Sequence, residues 1–594
     1  MCGVLAGTVG RFGGGGRVKI RRGLVNGLFV SASVLVLAFG AGGTAAAQQQ
    51  QDDYTVLVAD GASRDAAVAA VRAAGGTVVR ENTAIGALTV RAPAAGFVQR
   101  VASSHALLGA THARPIGHLP HGGNTPQQRD AVEKENHDGA AIGPRVQRGP
   151  ATAGMDPLDD KLWGLKMVRS DLARTRQAGD RRVYVGVLDT GIDGTHPDIA
   201  PNFDYGLSRN FTVDIPTDST GATVDGPCEF RGCVDPVDHD DNGHGTHVAA
   251  TIAAAANGFG VSGVAPNVTL VNIRGAQDSG FFFLQPVVDA LTYAGDAGLD
   301  VVNMSFYLDP WLYNCTANPA DSPEARIEQR TTIAAMRRAL DYAHDRGVTL
   351  VAALGNNHED LGHPRTDTSS PDYPANAAYP RPIDNATCLD LPVEGPHVIG
   401  VSALGPSGGK ADYSNYGVEQ ISVSAPGGYF RDGFGTDWYR TNENLILSAY
   451  PRNVALAAGA IDAEGNVTAA GQAVGVQKFC SGATCGYYQY LQGTSMATPH
   501  VVGVAALIVS QYGRPDPRHR GTLTMSPDAV ERVLEGTATR RPCPVPATVS
   551  YENVGRSAEF TATCEGTEAF NGFYGHGIVD AYGAVTRGAA FLRG

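Results

Sequence analysis

At 594 residues and 43% hydrophobic, the chain can bury at least one large core and is neither disordered nor fibrous. A formal net charge of -13 argues against nucleic acid or anionic membrane as the main partner and favours solubility.

The N-terminus reads as an export signal. Arg11, Arg17, Lys19, Arg21 and Arg22 are basic, residues 24–39 are apolar, and Thr44-Ala45-Ala46-Ala47 offers small residues for cleavage before Gln48. The apolar run is short and flanked by glycine, so no permanent membrane span is expected and the product should be secreted. Of nine cysteines, Cys2 leaves with the signal. The other eight suit disulfides in an exported chain: Cys228 with Cys233 and Cys480 with Cys485 as local staples, then Cys315 with Cys388 and Cys543 with Cys564 by elimination. A zinc site is the rival reading, but no paired short-spaced Cys/His set is present.

Residues 54–59 have a strand pattern, 63–74 a helix pattern ending at Gly75-Gly76, and 77–91 two strands around Asn82-Thr83, with a second helix over 96–108. This β-α-β-β-α unit, fewer than about eighty residues, sits at the lower limit for a self-sufficient core. From 115 to 157 the composition turns to Gly, Pro, His, Gln and charge, which is linker chemistry, and Arg129, Arg145 and Arg148 make it a place for processing. Beyond it, apolar strands (183–188, 268–273, 301–305, 349–353, 398–403) alternate with helices (after His244, 285–295, 326–346). That alternation predicts an α/β fold with a buried parallel sheet, whose reactive groups gather at the carboxyl ends of the strands. Asp189 and Asn356 both lie just past a strand.

The segment Gly493-Thr494-Ser495-Met496-Ala497 precedes a helix-period apolar run (Val501, Val504, Ala505, Ile508, Val509, Tyr512), which places Ser495 at a helix N-terminus. Free N–H groups there stabilise the charge that acyl transfer develops. A serine before a helix is by itself an ordinary N-cap, and Asp189 alone an ordinary turn cap. Two partners change the reading: a nucleophilic serine needs a base, and the imidazole needs a carboxylate. His244, between glycines, supplies the base and Asp189 the carboxylate, while His247 lies off the required face and is structural.

Asp189-Thr190-Gly191, His244-Gly245-Thr246-His247-Val248-Ala249 and Gly493-Thr494-Ser495-Met496-Ala497, in that order, resemble the three motifs of the subtilisin-like serine proteases, the subtilases. The resemblance covers residues 157–585 and implies a subtilisin-like three-layer fold with a mainly parallel sheet, preceded by a small α+β propeptide. It also implies a serine endopeptidase acting through Asp189, His244 and Ser495. Ala352-Ala353-Leu354-Gly355-Asn356 is similar to the family's oxyanion segment, with Asn356 as donor. Val302-Asn303-Met304-Ser305 resembles the strand that pairs with an extended substrate, so Ser305, Leu354 and Gly355 are the substrate-binding candidates. Members commonly continue with glycines after that serine, whereas Phe306-Tyr307-Leu308 follows here, which narrows or reshapes the primary pocket.

Two insertions, 212–239 and 429–492, are longer than in compact members and can wall the cleft. Asp198 and Asn257 match calcium-loop positions, with a metal-free tight loop as the other reading, and no cofactor is required for the chemistry. The implied organisation is a signal at 1–47, a propeptide at 48–114, a linker at 115–156 and a peptidase at 157–594. The expected partners are protein or peptide substrates and the chain's own propeptide, with the enzyme a monomer. A processing enzyme with few substrates, and an inactive binding protein on the same fold, are the alternatives; no member of the triad is missing.

Overall fold

The computed structural model describes residues 51–113, 131–137, 156–218 and 220–592. The signal and most of the linker lie outside these.

The N-terminal unit runs β1 (Gln51–Val58), α1 (Arg64–Ala73), β2 (Thr77–Asn82), β3 (Ala87–Pro93), α2 (Phe97–Ala102) and β4 (Leu107–His112). Its antiparallel sheet has the order β2-β3-β1-β4. Ser63 caps α1 by accepting from Ala66 N, and Ala67 and Val71 face the sheet. The expected second helix is shorter than its pattern, because the chain turns after Ser103 and returns as β4 beside β1. Local periodicity cannot reveal an edge strand whose partner lies fifty residues away.

Strand β1 shows why the unit docks. Tyr54 and Val56 enter its own core, while Leu57 joins a cluster containing Leu284, Val288 and Ala335 of the larger body. Thr55 Oγ1 donates to Gln285 Oε1 at 2.8 Å, and Asn82 Nδ2 to Asp289 Oδ1 at 2.8 Å. Gly109 is required by proximity, since a Cβ there would stand 2.2 Å from Thr331 Oγ1.

The larger body is built on β5 (Tyr184–Leu188), β6 (Arg209–Asn210), α3 (His244–Ala253), β7 (Thr269–Arg274), α4 (Leu284–Ala297), β8 (Val301–Met304), α5 (Pro323–Asp345), β9 (Thr349–Ala353), β10 (Val398–Leu404) and β11 (Ile421–Pro426). The sheet order is β11-β10-β9-β8-β5-β7-β6, with every ladder parallel. Successive side chains part to opposite faces: Val301 and Val351 join a core with α3 and the helix that begins at Thr494, whereas Val302 and Leu350 join one with α4 and α5. Helices thus cover both faces, giving the three layers the sequence predicts. Strand β11 was not expected, because Ser422 and Ser424 alternate with Ile421, Val423 and Ala425 and leave it without the continuous apolar run that marked the expected strands.

The second insertion folds into an antiparallel sheet of β12 (Ile446–Tyr450), β13 (Gln477–Ser481) and β14 (Thr484–Leu491), in the order β12-β14-β13. It delivers the chain to α6 (Thr494–Tyr512). All four expected disulfides form, joining Cys228–Cys233, Cys315–Cys388, Cys480–Cys485 and Cys543–Cys564.

Candidate active site

Asp189 follows β5, His244 opens α3, Asn356 lies just past β9, and Ser495 is in the first turn of α6. Distant segments therefore converge at the carboxyl edge of the sheet. His244, Ser495, Asn356, Gly355 and Ser305 line one cavity of about 170 Å³.

Asp189 is fully buried, and its Oδ1 accepts from His244 Nδ1 at 2.7 Å and from Thr190 N at 2.8 Å. Burial alone would lower the His244 pKa, but the carboxylates of Asp189 and Glu133 outweigh it and hold the imidazole well above its ordinary value. Asp240, which the motifs did not single out, builds the turn before α3. Its Oδ1 accepts from Thr190 Oγ1 and Gly243 N, and its Oδ2 from Thr246 N at 3.0 Å. An Asp just ahead of a helix is a cap signal that could have found it. His247 is structural, sharing Nε2 between the carbonyls of Ile446 and Gln489, and burial lowers its pKa to about 3.

At the start of α6 the Ser495 N–H has no helical acceptor. Pro499 lacks the N–H that would bond back to Ser495 O, and that carbonyl instead accepts from Ser305 Oγ at 3.1 Å. Ser495 Oγ donates to Ser305 O at 3.2 Å. Asn356 is anchored through its oxygen, which accepts from Thr494 N at 2.9 Å and Thr494 Oγ1 at 2.8 Å. Its Nδ2 is left without a hydrogen-bond acceptor among the described residues and stands at the cavity lining. Thr494 Oγ1 also accepts from Gly355 N at 3.1 Å, a positioning role the sequence reading missed. Leu354 is placed elsewhere than expected: its side chain is in the core, its N–H bonds Val401 O, and its carbonyl accepts from Asn415 Nδ2.

Residues 131–137, assigned to the linker, form a strap across this cavity. Glu133 Oε1 lies 3.5 Å from His244 Nε2, and Val132 lines the cavity. Gln492, at the end of the second insertion, donates from N to Glu133 O at 3.1 Å and from Nε2 to Val132 O at 3.0 Å. Glu135 is clamped by Arg431 at 2.5 Å and Arg556 at 3.0 Å, and Asn136 Nδ2 donates to Asn442 Oδ1. The strap was invisible in sequence because it has no period of its own; its contacts come from the insertion.

The calcium-loop candidates are engaged by hydrogen-bond donors. Asp198 Oδ2 accepts from Val261 N at 3.0 Å and Tyr488 Oη at 2.8 Å, and Asn257 Oδ1 accepts from Phe259 N at 2.9 Å. Burial pushes the Asp198 carboxyl up to about 7. This leaves Asp198 Oδ1 as the one oxygen of the pair without a partner. The loop turns N–H groups, not carbonyls, toward its acids, and in this conformation the set does not fit a hard cation.

The Subtilase family model matches residues 180–577. The chain belongs to the subtilase family. Subtilisin DY of Bacillus licheniformis is 28% identical over 377 residues, 64% of this chain and 91% of that protein. Subtilisin BL of Lederbergia lenta is 30% identical over 346 residues, 58% of this chain and 83% of the relative. Fervidolysin of Fervidobacterium pennivorans is 28% identical over 393 residues, which cover 41% of its own length. In fold, the subtilase resembles the crystal structure of the epidermin leader peptide processing serine protease from Staphylococcus aureus. That likeness has a TM-score of 0.56 at 19% identity, over 90% of this chain and 98% of the other. This subtilase is a serine-type endopeptidase, and no helix among its described residues is long and apolar enough to cross a membrane.

Proposed function

We propose that the chain is an exported endopeptidase made as a zymogen and active as a monomer, with Ser495 as nucleophile, His244 as base and then acid, and Asp189 orienting the imidazole. The observation that carries this reading is the 2.7 Å bond from His244 Nδ1 to a buried Asp189, in the same cavity as a serine at a helix N-terminus. In the reaction Ser495 Oγ turns from Ser305 O to His244 Nε2, gives up its proton and attacks the substrate carbonyl. Asn356 Nδ2 and the Ser495 N–H receive the developing oxyanion. Ser279, Gly280 and Ser305 to Tyr307, which line the cavity, hold the peptide in extended form. The acyl-enzyme is then released by water, with His244 returning the proton.

The strap supports synthesis as a zymogen. Glu133 faces His244 Nε2, the atom that must accept the Ser495 proton, and favours the charged form of the ring, so the strap must leave before catalysis begins. The docked unit at 51–113 supports the same reading, as a propeptide held on α4 and α5 until the linker is cut. We place the propeptide at 48–114, the linker at 115–156 and the peptidase at 157–594. Export is supported by the basic-then-apolar N-terminus and four disulfides. N-terminal sequencing of the secreted product, with peptide-library profiling, tests the reading. A product that starts beyond residue 137 and cleaves peptides supports it; an active product still carrying the strap refutes the zymogen part.

A further inference from the structure

The cavity beside Ser495 holds a carboxyl that the proposed chemistry leaves unused. Asp390 follows the short strand Cys388–Leu389, which the Cys315–Cys388 disulfide ties to Asn314–Cys315. Its backbone is fixed on both sides, N donating to Glu394 Oε2 at 2.5 Å and O accepting from Glu394 N at 2.8 Å. The residue is only 3% exposed, and it lines the cavity together with Ser305, Tyr307, Gly355 and Ser369. Among the described residues no donor or cation pairs with its carboxylate. The buried guanidinium of Arg381 is already engaged, at 2.8 Å by Asp321 Oδ1 and 3.1 Å by Asp367 Oδ2. Burial, with Glu394 and Asp367 as neighbouring acids, pushes the Asp390 carboxyl well above the usual carboxylate range.

The walls around it are fixed. Phe306 stacks on Phe282 with ring centroids 4.0 Å apart, and Tyr307 Oη donates to Asp372 Oδ2 at 2.8 Å. The cavity lining contains two acids, Glu133 and Asp390, and no lysine or arginine. Glu133 departs with the strap, so Asp390 is the acid left in the mature cavity. A desolvated carboxyl without a partner costs free energy that an apolar substrate side chain cannot offset, and a cation inserted beside it can.

We propose that Asp390 makes this subtilase select lysine or arginine at P1, the residue on the acyl side of the scissile bond. The proposal rests on the endopeptidase reading with Ser495 as nucleophile. Guanidinium suits the position because its planar fork can meet one carboxylate through two donors. Sites built around a buried polar partner reject substrates lacking its complement far more strongly than apolar pockets reject a wrong size. The linker's own Arg129, Arg145 and Arg148 have the required chemistry for self-cleavage.

The test uses the mature wild-type enzyme, titrated with a fluorophosphonate so that rates are per active serine, on two peptides differing only in arginine or leucine at P1. We expect kcat/KM at least a hundredfold higher for arginine, and competitive inhibition by benzamidine, an amidinium that fits the same place. In Asp390→Asn the arginine-to-leucine ratio should fall at least thirtyfold, with the effect mainly on arginine. Equal rates, or a leucine preference, in the titrated wild-type enzyme would overturn the selectivity while leaving the endopeptidase reading intact. An unchanged ratio in Asp390→Asn would overturn the assignment to Asp390. No labelling and no turnover of either peptide would overturn the reading beneath it, and the proposal with it. Should Asp390→Asn fail to fold, the wild-type ratio and benzamidine inhibition decide the matter.

Discussion

Glu133→Gln removes the carboxylate that faces His244 Nε2 at 3.5 Å and keeps the shape of the strap. At that separation and an effective dielectric of about 20, the bare attraction is about 5 kcal/mol. Both side chains are mostly buried, 9% and 13% exposed, so the cost of desolvating them reduces the net latch to about 2–3 kcal/mol. Losing it should raise the fraction of precursor with the strap unseated by about thirty- to a hundred-and-fiftyfold. The sign of the pH dependence follows from the same pair. Glu133 raises the His244 pKa in the strapped state relative to the unstrapped one. The latch is therefore fully present below the unstrapped pKa and is lost as pH rises through the strapped value. Wild-type maturation should accelerate with rising pH, and Glu133→Gln should be fast throughout with a flattened profile. The assay follows conversion of secreted precursor to mature enzyme by gel, beside the rate of fluorophosphonate labelling of the precursor. Maturation of Glu133→Gln at the wild-type rate with an unchanged pH profile would refute the latch.

Ser495→Ala should accumulate as a chain still carrying residues 48–156 and show no peptidase activity; normal trimming of an inactive variant would assign processing to another protease. Asn356→Ala should lower kcat by about a hundred- to a thousandfold, the loss known for an oxyanion donor in subtilisin, with KM nearly unchanged. Near-normal kcat per titrated site would reduce Asn356 to a turn residue. Chelation with EDTA should leave the melting temperature within about 1 °C, because the Asp198 loop faces its acids with N–H donors. A large fall reversed by calcium would show that the loop reorganises around a cation. Arg381→Met, made in the Ser495→Ala background to avoid autolysis, leaves Asp321 and Asp367 buried without their cation and should cost about 3–5 kcal/mol. A melting temperature equal to that of the parent would show that water reaches those acids.

What the sequence makes legible is whatever repeats locally or is fixed by covalent chemistry. The parallel sheet shows in apolar runs such as 301–304 and 349–353, whose side chains are buried on both faces, and α6 shows in its unbroken apolar period. Asp189, His244, Ser495 and Asn356 stand out in the sequence because each lies in a short motif that resembles a subtilase segment, and the structure places each at a strand or helix end. The remainder depends on partners distant in sequence. Strand β4 exists because β1 offers it an edge, and Val132 to Asn136 are seated by Gln492, Arg431 and Arg556, hundreds of residues away. Leu354 was grouped with Gly355 as a substrate-binding candidate, and the alternation along the extended backbone, which no local motif displays, turns its side chain into the core. Asp390 carried no motif, and only the cavity gives it meaning.

The central claim is that Ser495 is the nucleophile, armed by His244 once the strap has left. Its most direct test is to label the mature enzyme with a fluorophosphonate, map the modified residue by mass spectrometry and follow residual peptide hydrolysis against label incorporated. The account predicts a single adduct on Ser495, activity that falls to zero at one equivalent of label, and no labelling in His244→Ala. An adduct on another residue, or peptide hydrolysis that survives full occupancy of Ser495, would contradict it.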